Sequence, residues 1–192
     1  MKVVAFNGSP RRNGNTSVLI DHVLAEIAAV GIETEKVQLG GRKIHGCIAC
    51  YKCFDNLDRR CAVDDDILNE CLEKMIAADG ILLGSPTYFA DMSPELKALI
   101  DRAGMVGIAN GALFRRKVGA AVVAVRRAGA VHTFDAINHF FTIEQMIVPG
   151  SCYWNMGFGR NEGEAAGDEE GLRIMKILGE NMAWLLGRIH GE

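Results

Sequence analysis

Residues 3–30 of the chain are VVAFNGSPRRNGNTSVLIDHVLAEIAAV, and this stretch decides the fold. Residues 3–6 form an uninterrupted apolar run that predicts a buried β-strand. From about residue 16 to residue 30, apolar side chains recur every three or four positions, which predicts an amphipathic helix. A strand that passes through a short polar loop into a helix is one βα unit, and a series of such units builds a parallel sheet.

The same alternation continues along the chain. The predicted strands are 3–6, 33–39, 80–84, 118–125 and 146–153, and the predicted helices are 16–30, 64–78, 94–103, 133–145 and 168–189. Five strands alternating with five helices predict an α/β fold in which helices cover both faces of a parallel sheet. Residues 40–65 show no clear element, and a loop of that length in a compact domain is usually functional or disordered.

Length and charge narrow the class of protein. The chain has 192 residues, is 49% hydrophobic and carries a net charge of −3. We expect a single domain over residues 1–192 with a cysteine-bearing insertion at about 40–65. The short, dispersed basic clusters predict no nucleic-acid partner. The sequence begins MKVVAFNGS, without a secretory pattern, and no apolar run is long enough to span a membrane, so we expect a cytoplasmic protein.

Four cysteines, Cys47, Cys50, Cys53 and Cys61, form a C-x2-C-x2-C-x7-C pattern in a polar stretch. Thiols stay reduced in a cytosol, and four of them can converge on an iron–sulfur cluster or a zinc ion. The third closely spaced cysteine is unlike the paired C-x2-C units of common zinc sites. Zinc and redox-active thiols remain open as alternatives. The other two cysteines, at positions 71 and 152, lie in apolar patterns and are predicted to be core residues.

Two loops follow predicted strands. The first, residues 8–17, combines hydroxyls, arginines and a helix N-terminus, which are suited to binding an anion, although it could merely cap the helix. It lacks the Gly-Lys-Ser/Thr of a Walker A loop and the spacing G-x-G-x-x-G, so a terminal phosphate monoester suits it best. The second, residues 84–93, offers a proline, polar groups and aromatic rings to a flat cofactor. Together the two loops favour flavin mononucleotide (FMN).

These motifs carry a resemblance to a known family. The loop G-S-P-R-x-x-G-N-T, the loop G-S-P-T-Y-F with its downstream Leu-Lys and Asp-Arg pairs, and the cysteine run followed by Asp-Asp-Asp resemble the NADPH-dependent FMN reductase group. Within that group the chain is most similar to the iron–sulfur flavoproteins, over essentially residues 1–155. The resemblance implies a flavodoxin-like three-layer fold with sheet order 2-1-3-4-5, non-covalent FMN, a four-iron [4Fe-4S] cluster, and homodimers or homotetramers that complete each site across an interface.

The resemblance also implies roles for particular residues, and no acid–base catalytic residue is assigned. The residues expected to hold the FMN phosphate are Ser9, Arg11, Asn15, Thr16 and Ser17. Those expected beside the flavin ring are Pro86, Thr87, Tyr88 and Phe89, with Arg126 and Arg127 on a third loop. The expected cluster ligands are Cys47, Cys50, Cys53 and Cys61.

The expected function is electron transfer, because FMN exchanges two electrons or a hydride whereas a cluster passes single electrons. Electrons would pass from a reduced donor, a ferredoxin or NAD(P)H, to a small-molecule acceptor. Two alternatives remain: a cluster-free NAD(P)H-dependent FMN or quinone reductase, and a zinc-stapled binding module without turnover. The aromatic segment 153–167 is expected either to cover a neighbouring subunit's flavin or to anchor its own loop to the core.

Overall fold

The computed structural model describes residues 1–191. The strands are β1 (Lys2–Asn7), β2 (Glu33–Gln38), β3 (Gly80–Pro86), β4 (Val118–Val125) and β5 (Met156–Phe158). The helices are α1 (Asn15–Ala29), α2 (Lys52–Asn56), α3 (Leu68–Ala77), α4 (Pro94–Ala109), α5 (Ala130–Ile143) and α6 (Glu169–His190), and a short 3-10 helix covers Glu164–Gly167.

The strands form one parallel sheet in the order β2-β1-β3-β4-β5, which confirms the predicted topology. The chain goes outward from β1 to β2, then crosses back to β3 on the other side of β1. The strand order therefore reverses between β1 and β3. In such sheets, ligands bind beyond the carboxyl ends of the strands at this switch point.

Two apolar cores lie on opposite faces of the sheet. Because side chains alternate along a strand, Val3 and Ala5 join one core whereas Val4 and Phe6 join the other. The first core is completed by apolar residues of α1 and α6, and the second by those of α3, α4 and α5. Helices therefore cover both faces, as predicted. Within residues 1–191 no helix has the length and apolar character that a membrane crossing requires.

The prediction of a strand at 146–153 is wrong. Only Ile147 bridges to the sheet there, beside Val118, and the chain then leaves through Pro149 and Gly150. The chain returns to the sheet as β5, which begins eight residues after Val148. There Met156 pairs with Val123 near the carboxyl end of β4. Two separate segments, Ile147 and β5, therefore pair with the edge of β4. The apolar run 146–148 gave the stronger pattern, because β5 has only three residues and one of them is glycine.

Two smaller expectations also differ from the structure. The segment 40–65, predicted without any element, contains the five-residue helix α2. Cys152 is exposed and not a core residue, because it lies in the excursion that replaces the predicted strand. Cys71, by contrast, is 1% exposed, which confirms its place in the core, and burial raises the pKa of its thiol to about 12.

Candidate flavin and metal sites

The first loop leaves β1 and lies against the end of β3. The Gly8 amide donates a hydrogen bond to the Gly84 carbonyl over 2.8 Å. A Cβ atom on Gly8 would lie 2.8 Å from the Ser93 hydroxyl and 2.9 Å from the same carbonyl. Both distances are shorter than a normal contact, so only glycine lets the two loops approach this closely. The first and second loops are therefore neighbours at the carboxyl edge of the sheet.

The first loop ends in a helix N-terminus that has free donors. Gly14 caps α1 without a side-chain hydrogen bond. The amides of Asn15, Thr16 and Ser17 find no acceptor within residues 1–191. In contrast, Ser93 accepts from the first turn of α4. Unpaired amides and the positive end of the helix dipole favour an anion at the start of α1.

The structure gives several of the predicted phosphate residues additional partners. The Ser9 hydroxyl accepts from the Arg11 amide over 3.2 Å, while the Arg11 side chain is exposed. Asn15 Oδ1 accepts from the Ala165 amide over 3.0 Å. The Ser17 hydroxyl accepts from Lys36 Nζ over 2.8 Å. Of the five predicted residues, Ser9 and Arg11 lie in the loop, whereas the side chains of Asn15 and Ser17 hold neighbouring segments in place.

The second loop makes a tight turn beyond β3. The amides and carbonyls of Tyr88 and Asp91 exchange two hydrogen bonds of 2.8 and 3.0 Å. Between them, Phe89 and Ala90 have φ of 49° and 63°, left-handed values that usually require glycine or asparagine. The Phe89 side chain is fully exposed at the tip, and Tyr88 is 43% exposed. The turn therefore holds two aromatic rings outside the core.

Thr87 is the residue of the second loop that lies beside β4 and faces the third loop. Its amide donates to the Ala124 carbonyl of β4 over 2.9 Å, directly beside Pro86, which is paired with Ala124. The Thr87 hydroxyl is buried and has no hydrogen-bond partner within the described chain. A buried hydroxyl without a partner is costly, so this atom is suited to meeting a polar group of a ligand.

The third loop follows β4. A Cβ atom on Gly129, which has φ of 88°, would lie 3.1 Å from Ala90 and 3.3 Å from Thr87. Arg126 and Arg127, which precede this glycine, are exposed. All three loops predicted to bind flavin are therefore brought together at one edge of the sheet.

The four predicted metal ligands surround one cavity. Cys47, Cys50, Cys53 and Cys61 all line it, together with backbone and apolar groups and the single charged side chain of Arg102. No histidine, aspartate or glutamate lines the cavity. Burial raises the pKa of the Cys53 thiol. A set of four sulfur donors suits zinc or an iron–sulfur cluster and does not suit the hard cations that prefer oxygen.

The sulfur atoms of the four cysteines are not gathered tightly around one point. A single tetrahedral zinc ion with Zn–S distances of about 2.3 Å holds its sulfurs about 3.8 Å apart. Within residues 1–191, no three cysteine sulfurs lie within 4.8 Å of one another. The one group of three possible metal-ligand side chains that meets this distance in the described chain is His45, Asp65 and Asp66. No three of the cysteine sulfurs are therefore as close together as the ligands of one tetrahedral zinc ion.

Cys61 is fixed from two sides. Its amide donates to Asn69 Oδ1 over 2.8 Å, and its carbonyl accepts from Asn69 Nδ2 over 2.9 Å. Its sulfur lies 3.4 Å from both Nε and Nη2 of Arg102, a side chain of α4 that is 1% exposed. Arg102 also pairs with Asp66 over 2.5 Å. Burial opposes the charge of Asp66, but hydrogen bonds from Arg102 and from two amides hold the pKa of its carboxyl below the ordinary value.

The segment around the cysteines has an unusual backbone. Four of its non-glycine residues have positive φ: Ala49, Tyr51, Leu57 and Arg59, with values between 51° and 62°. Between residues 41 and 60, Cys53 is the only buried side chain. The segment is thus tightly wound and makes little core of its own.

Arg102 was recognised only as part of the Asp-Arg pair of the family motif and was given no role, and Asn69 was not predicted at all. A signal for the role of Arg102 existed. Arg102 lies three residues after Leu99 and four before Val106, so it occupies the apolar stripe of α4. A charged residue at a core position predicts a buried partner. Asn69 carries no comparable signal, because asparagine near a helix start is common for other reasons.

A groove lies beside the cysteine cavity and reaches the end of the second loop. It lies between α4 and α5, has a volume of about 590 Å³, and is lined by Cys47 as well as by Asp91 and Met92 at the end of the second loop. Cys47 therefore takes part in both the cysteine cavity and this groove.

Sequence comparisons identify the family of the chain. The family described as NADPH-dependent FMN reductase matches residues 1–161. An iron–sulfur flavoprotein of Methanocaldococcus jannaschii is 40% identical over 190 residues, which cover 95% of this chain and 96% of that protein. An iron–sulfur flavoprotein of Methanosarcina thermophila is 37% identical over 161 residues, which cover 83% of this chain and 81% of the relative.

Solved structures share the fold. RosB with a bound flavin intermediate superposes with a TM-score of 0.79 at 20% identity, over 98% of this chain and 80% of RosB. A flavodoxin described as WrbA-like, from Agrobacterium tumefaciens, gives a TM-score of 0.67 at 15% identity, over 97% of both chains. At these identities the likeness concerns the fold, which is flavodoxin-like.

Proposed function

Because the chain belongs to the NADPH-dependent FMN reductase family and is a flavin-dependent oxidoreductase, we propose that it is an electron-transfer iron–sulfur flavoprotein. It would pass electrons between a reduced donor, a ferredoxin or NAD(P)H, and a small-molecule acceptor. The relatives from Methanocaldococcus jannaschii and Methanosarcina thermophila are both named iron–sulfur flavoproteins, which supports the cluster as well as the flavin.

For FMN, the free amides at the start of α1 support a phosphate site. Ser9, Arg11 and Thr16 would hold the phosphate, together with the backbone amides of Asn15 and Ser17. The ring would lie against the second loop, where Pro86, Thr87, Tyr88 and Phe89 offer a fixed backbone, an unpaired hydroxyl and aromatic area. The exposed Arg126 and Arg127 would supply positive charge to the ring or the phosphate tail.

For the cluster, Cys47, Cys50, Cys53 and Cys61 would each supply one thiolate. A bound cluster supplies one-electron transfer, which complements the two-electron chemistry of a flavin. The protein's own groups position the ligands: Asn69 holds the backbone of Cys61 on both sides, and Arg102 fixes its sulfur. We also propose a homodimer or homotetramer, since exposed aromatic residues such as Phe89 offer apolar area to a second copy.

The observation that carries this proposal is the shared position of Cys47. It lines an all-sulfur cavity and also the groove that reaches the second flavin loop at Asp91 and Met92. A cluster in the cavity would therefore lie beside a groove that also touches the end of the second loop. This arrangement favours electron exchange between two cofactors over a purely structural metal site.

The test is a visible spectrum of anaerobically prepared protein, with assays for FMN, iron, acid-labile sulfide and zinc. We expect flavin bands together with about four irons and four sulfides per chain. Flavin without iron would instead support the cluster-free reductase. Zinc without flavin would support the binding module and contradict both enzyme functions.

Thr87→Val is expected to weaken FMN binding without destabilising the protein that lacks FMN. The substitution keeps the side-chain shape and removes the buried, unpaired hydroxyl. Loss of one hydrogen bond to FMN corresponds to about 1 kcal/mol, or roughly fivefold in the dissociation constant, whereas removal of an unsatisfied hydroxyl leaves the apoprotein equally or more stable. Fluorescence titration of apoprotein with FMN and thermal unfolding of the apoprotein measure the two effects. Unchanged FMN affinity would show that the hydroxyl does not face the flavin.

A further inference from the structure

Arg102 is an unusual residue for the core of α4. It is 1% exposed, and a buried guanidinium is tolerated only where its charge and its donors are matched. Nη1 donates to Asp66 Oδ2 over 2.5 Å and to the His45 carbonyl over 3.1 Å, and Nη2 donates to the Val63 carbonyl over 2.6 Å. Arg102 thus connects α4 to both ends of the cysteine segment.

The remaining two donors converge on one sulfur. Nε and Nη2 each lie 3.4 Å from Cys61 Sγ, so all five N–H groups of the side chain have an acceptor. A neutral thiol is a weak acceptor, whereas a thiolate forms charge-assisted hydrogen bonds. A buried guanidinium that directs two donors at one sulfur is therefore suited to a thiolate, which is the form that ligates metal.

The four cysteines are not equivalent in this respect. Cys61 is the only one whose sulfur accepts a side-chain hydrogen bond within residues 1–191. The carboxylate of Asp66, which is also buried, balances part of the arginine charge. Donors and positive charge beside a cluster sulfur stabilise the more negative, reduced state and so raise the reduction potential. A nearby carboxylate acts in the opposite direction.

We propose that Arg102 is a positioning residue that raises the reduction potential of the cluster through its two hydrogen bonds to Cys61, and that Asp66 limits this rise. The proposal rests on the proposed function, because it requires a cluster on the four cysteines. It assigns opposite effects to two residues that form one ion pair. A purely structural pair would not give that result, because loss of either partner would then disturb the site in a similar way.

The experiment is a redox titration of anaerobically reconstituted protein, with the cluster followed by electron paramagnetic resonance and the FMN by absorbance. Arg102→Lys keeps the positive charge but loses the paired N–H donors. Arg102→Gln loses both the charge and the paired donors. Asp66→Asn keeps the side-chain size and removes the counter-charge. Arg115→Lys and Arg115→Gln are the controls, because Arg115 is exposed and does not line the cysteine cavity.

For both Arg102 variants we expect a lower cluster potential, with a roughly tenfold change in the ratio of reduced to oxidised cluster at a fixed applied potential, which is about 59 mV for a one-electron couple. Asp66→Asn should shift the cluster potential upward. The FMN potential should move less than the cluster potential, and the Arg115 variants should match the wild type.

Several results would overturn the proposal. If the Arg102 variants retain iron and titrate at the wild-type potential, Arg102 does not tune the cluster. If the Arg102 variants lose iron, the cluster potential of Asp66→Asn is the deciding measurement. An unchanged or lowered cluster potential in Asp66→Asn contradicts the proposal. Failure of the wild type itself to bind iron is a different outcome, because it removes the cluster and with it the proposed function.

Discussion

Cys53→Ser is expected to abolish iron retention while FMN stays bound. Cys53 is the buried member of the four cysteines, and it lines the cavity with the other three. A serine hydroxyl is a hard, weakly acidic donor that replaces thiolate poorly as a ligand of iron or zinc. The three loops that we propose to bind FMN lie at the carboxyl edge of the sheet and do not include Cys53. Iron, sulfide and FMN assays on the anaerobically purified variant measure the outcome.

Cys71→Ser is the matched control for this substitution. Cys71 is also buried, but it lies in the core on α3 and does not line the cavity. Both serine variants bury a hydroxyl and should lose about 1–3 kcal/mol of unfolding free energy. Only Cys53→Ser should lose iron. Equal iron in the two variants would contradict the assignment of Cys53 as a ligand.

Thr16→Ala is expected to give the complementary result: weaker FMN binding, by roughly fivefold or more for one lost hydrogen bond, and unchanged iron. Thr16 is buried at the start of α1, beside the free amides. Equilibrium dialysis with FMN and an iron assay on the same sample test it. Loss of both cofactors in Thr16→Ala and in Cys53→Ser would indicate general unfolding and would count against separate sites.

Glu144→Gln is expected to make the free energy of unfolding depend much less on pH. Glu144 lies just after α5, is 1% exposed, and neither carboxylate oxygen has a hydrogen-bond partner within residues 1–191. A Cβ atom on Gly104 or Gly107 of α4 would lie 3.3 or 2.8 Å from those oxygens, so the two glycines make room for the carboxyl. Burial raises the pKa of Glu144 from 4.5 to about 7.

The direction of the effect follows from proton binding. The folded chain holds this proton more tightly than the unfolded chain, so its contribution to stability is complete below pH 4.5 and is lost as pH rises toward 7. The interval between 4.5 and about 7 corresponds to about 3 kcal/mol, an order-of-magnitude value. Glutamine is neutral at every pH in this range. At pH 8 the variant should therefore be more stable than the wild type by up to about 3 kcal/mol.

Denaturant unfolding from pH 5 to pH 8 measures this difference. The wild type should lose stability across that window, and Glu144→Gln should lose much less. Glu162→Gln is the control, because Glu162 is exposed and its neutralisation should leave the slope unchanged. Parallel curves for the wild type and Glu144→Gln would show that the carboxyl is not held neutral by burial.

The sequence predicted the fold well where patterns were long. The parallel sheet, its order and the helices on both faces follow from βα units with clear periodicity. The error at the last strand has a physical cause, because the apolar residues 146–148 contribute one bridge before Pro149 ends the run. The pairing that completes β5 depends on the carboxyl end of β4, and no local pattern contains that information.

The sequence predicted that the loops meet at one edge of the sheet and that the four cysteines converge, but it did not predict the contacts that support them. The cysteine spacing and the two flavin loops are local motifs, so residue types alone identified them. The contacts of Asn15 with Ala165 and of Asn69 with Cys61 join parts of the chain that no local motif relates. Glu144 has the same character, because its isolation depends on two glycines of another helix.

The left-handed residues of the cysteine segment have a consequence for the lifetime of the protein. Ala49, Tyr51, Leu57 and Arg59 each hold a conformation that costs on the order of 1 kcal/mol, and the segment buries almost no side chain to offset it. Metal bound to the four thiolates would supply the missing stability. Chains made during iron scarcity should then be cut by proteases within residues 47–61 faster than loaded chains. The rate at which the protein is degraded would then depend on the supply of iron. Limited proteolysis with and without bound iron measures the cleavage rate. Equal cleavage rates in the two samples would disprove this dependence.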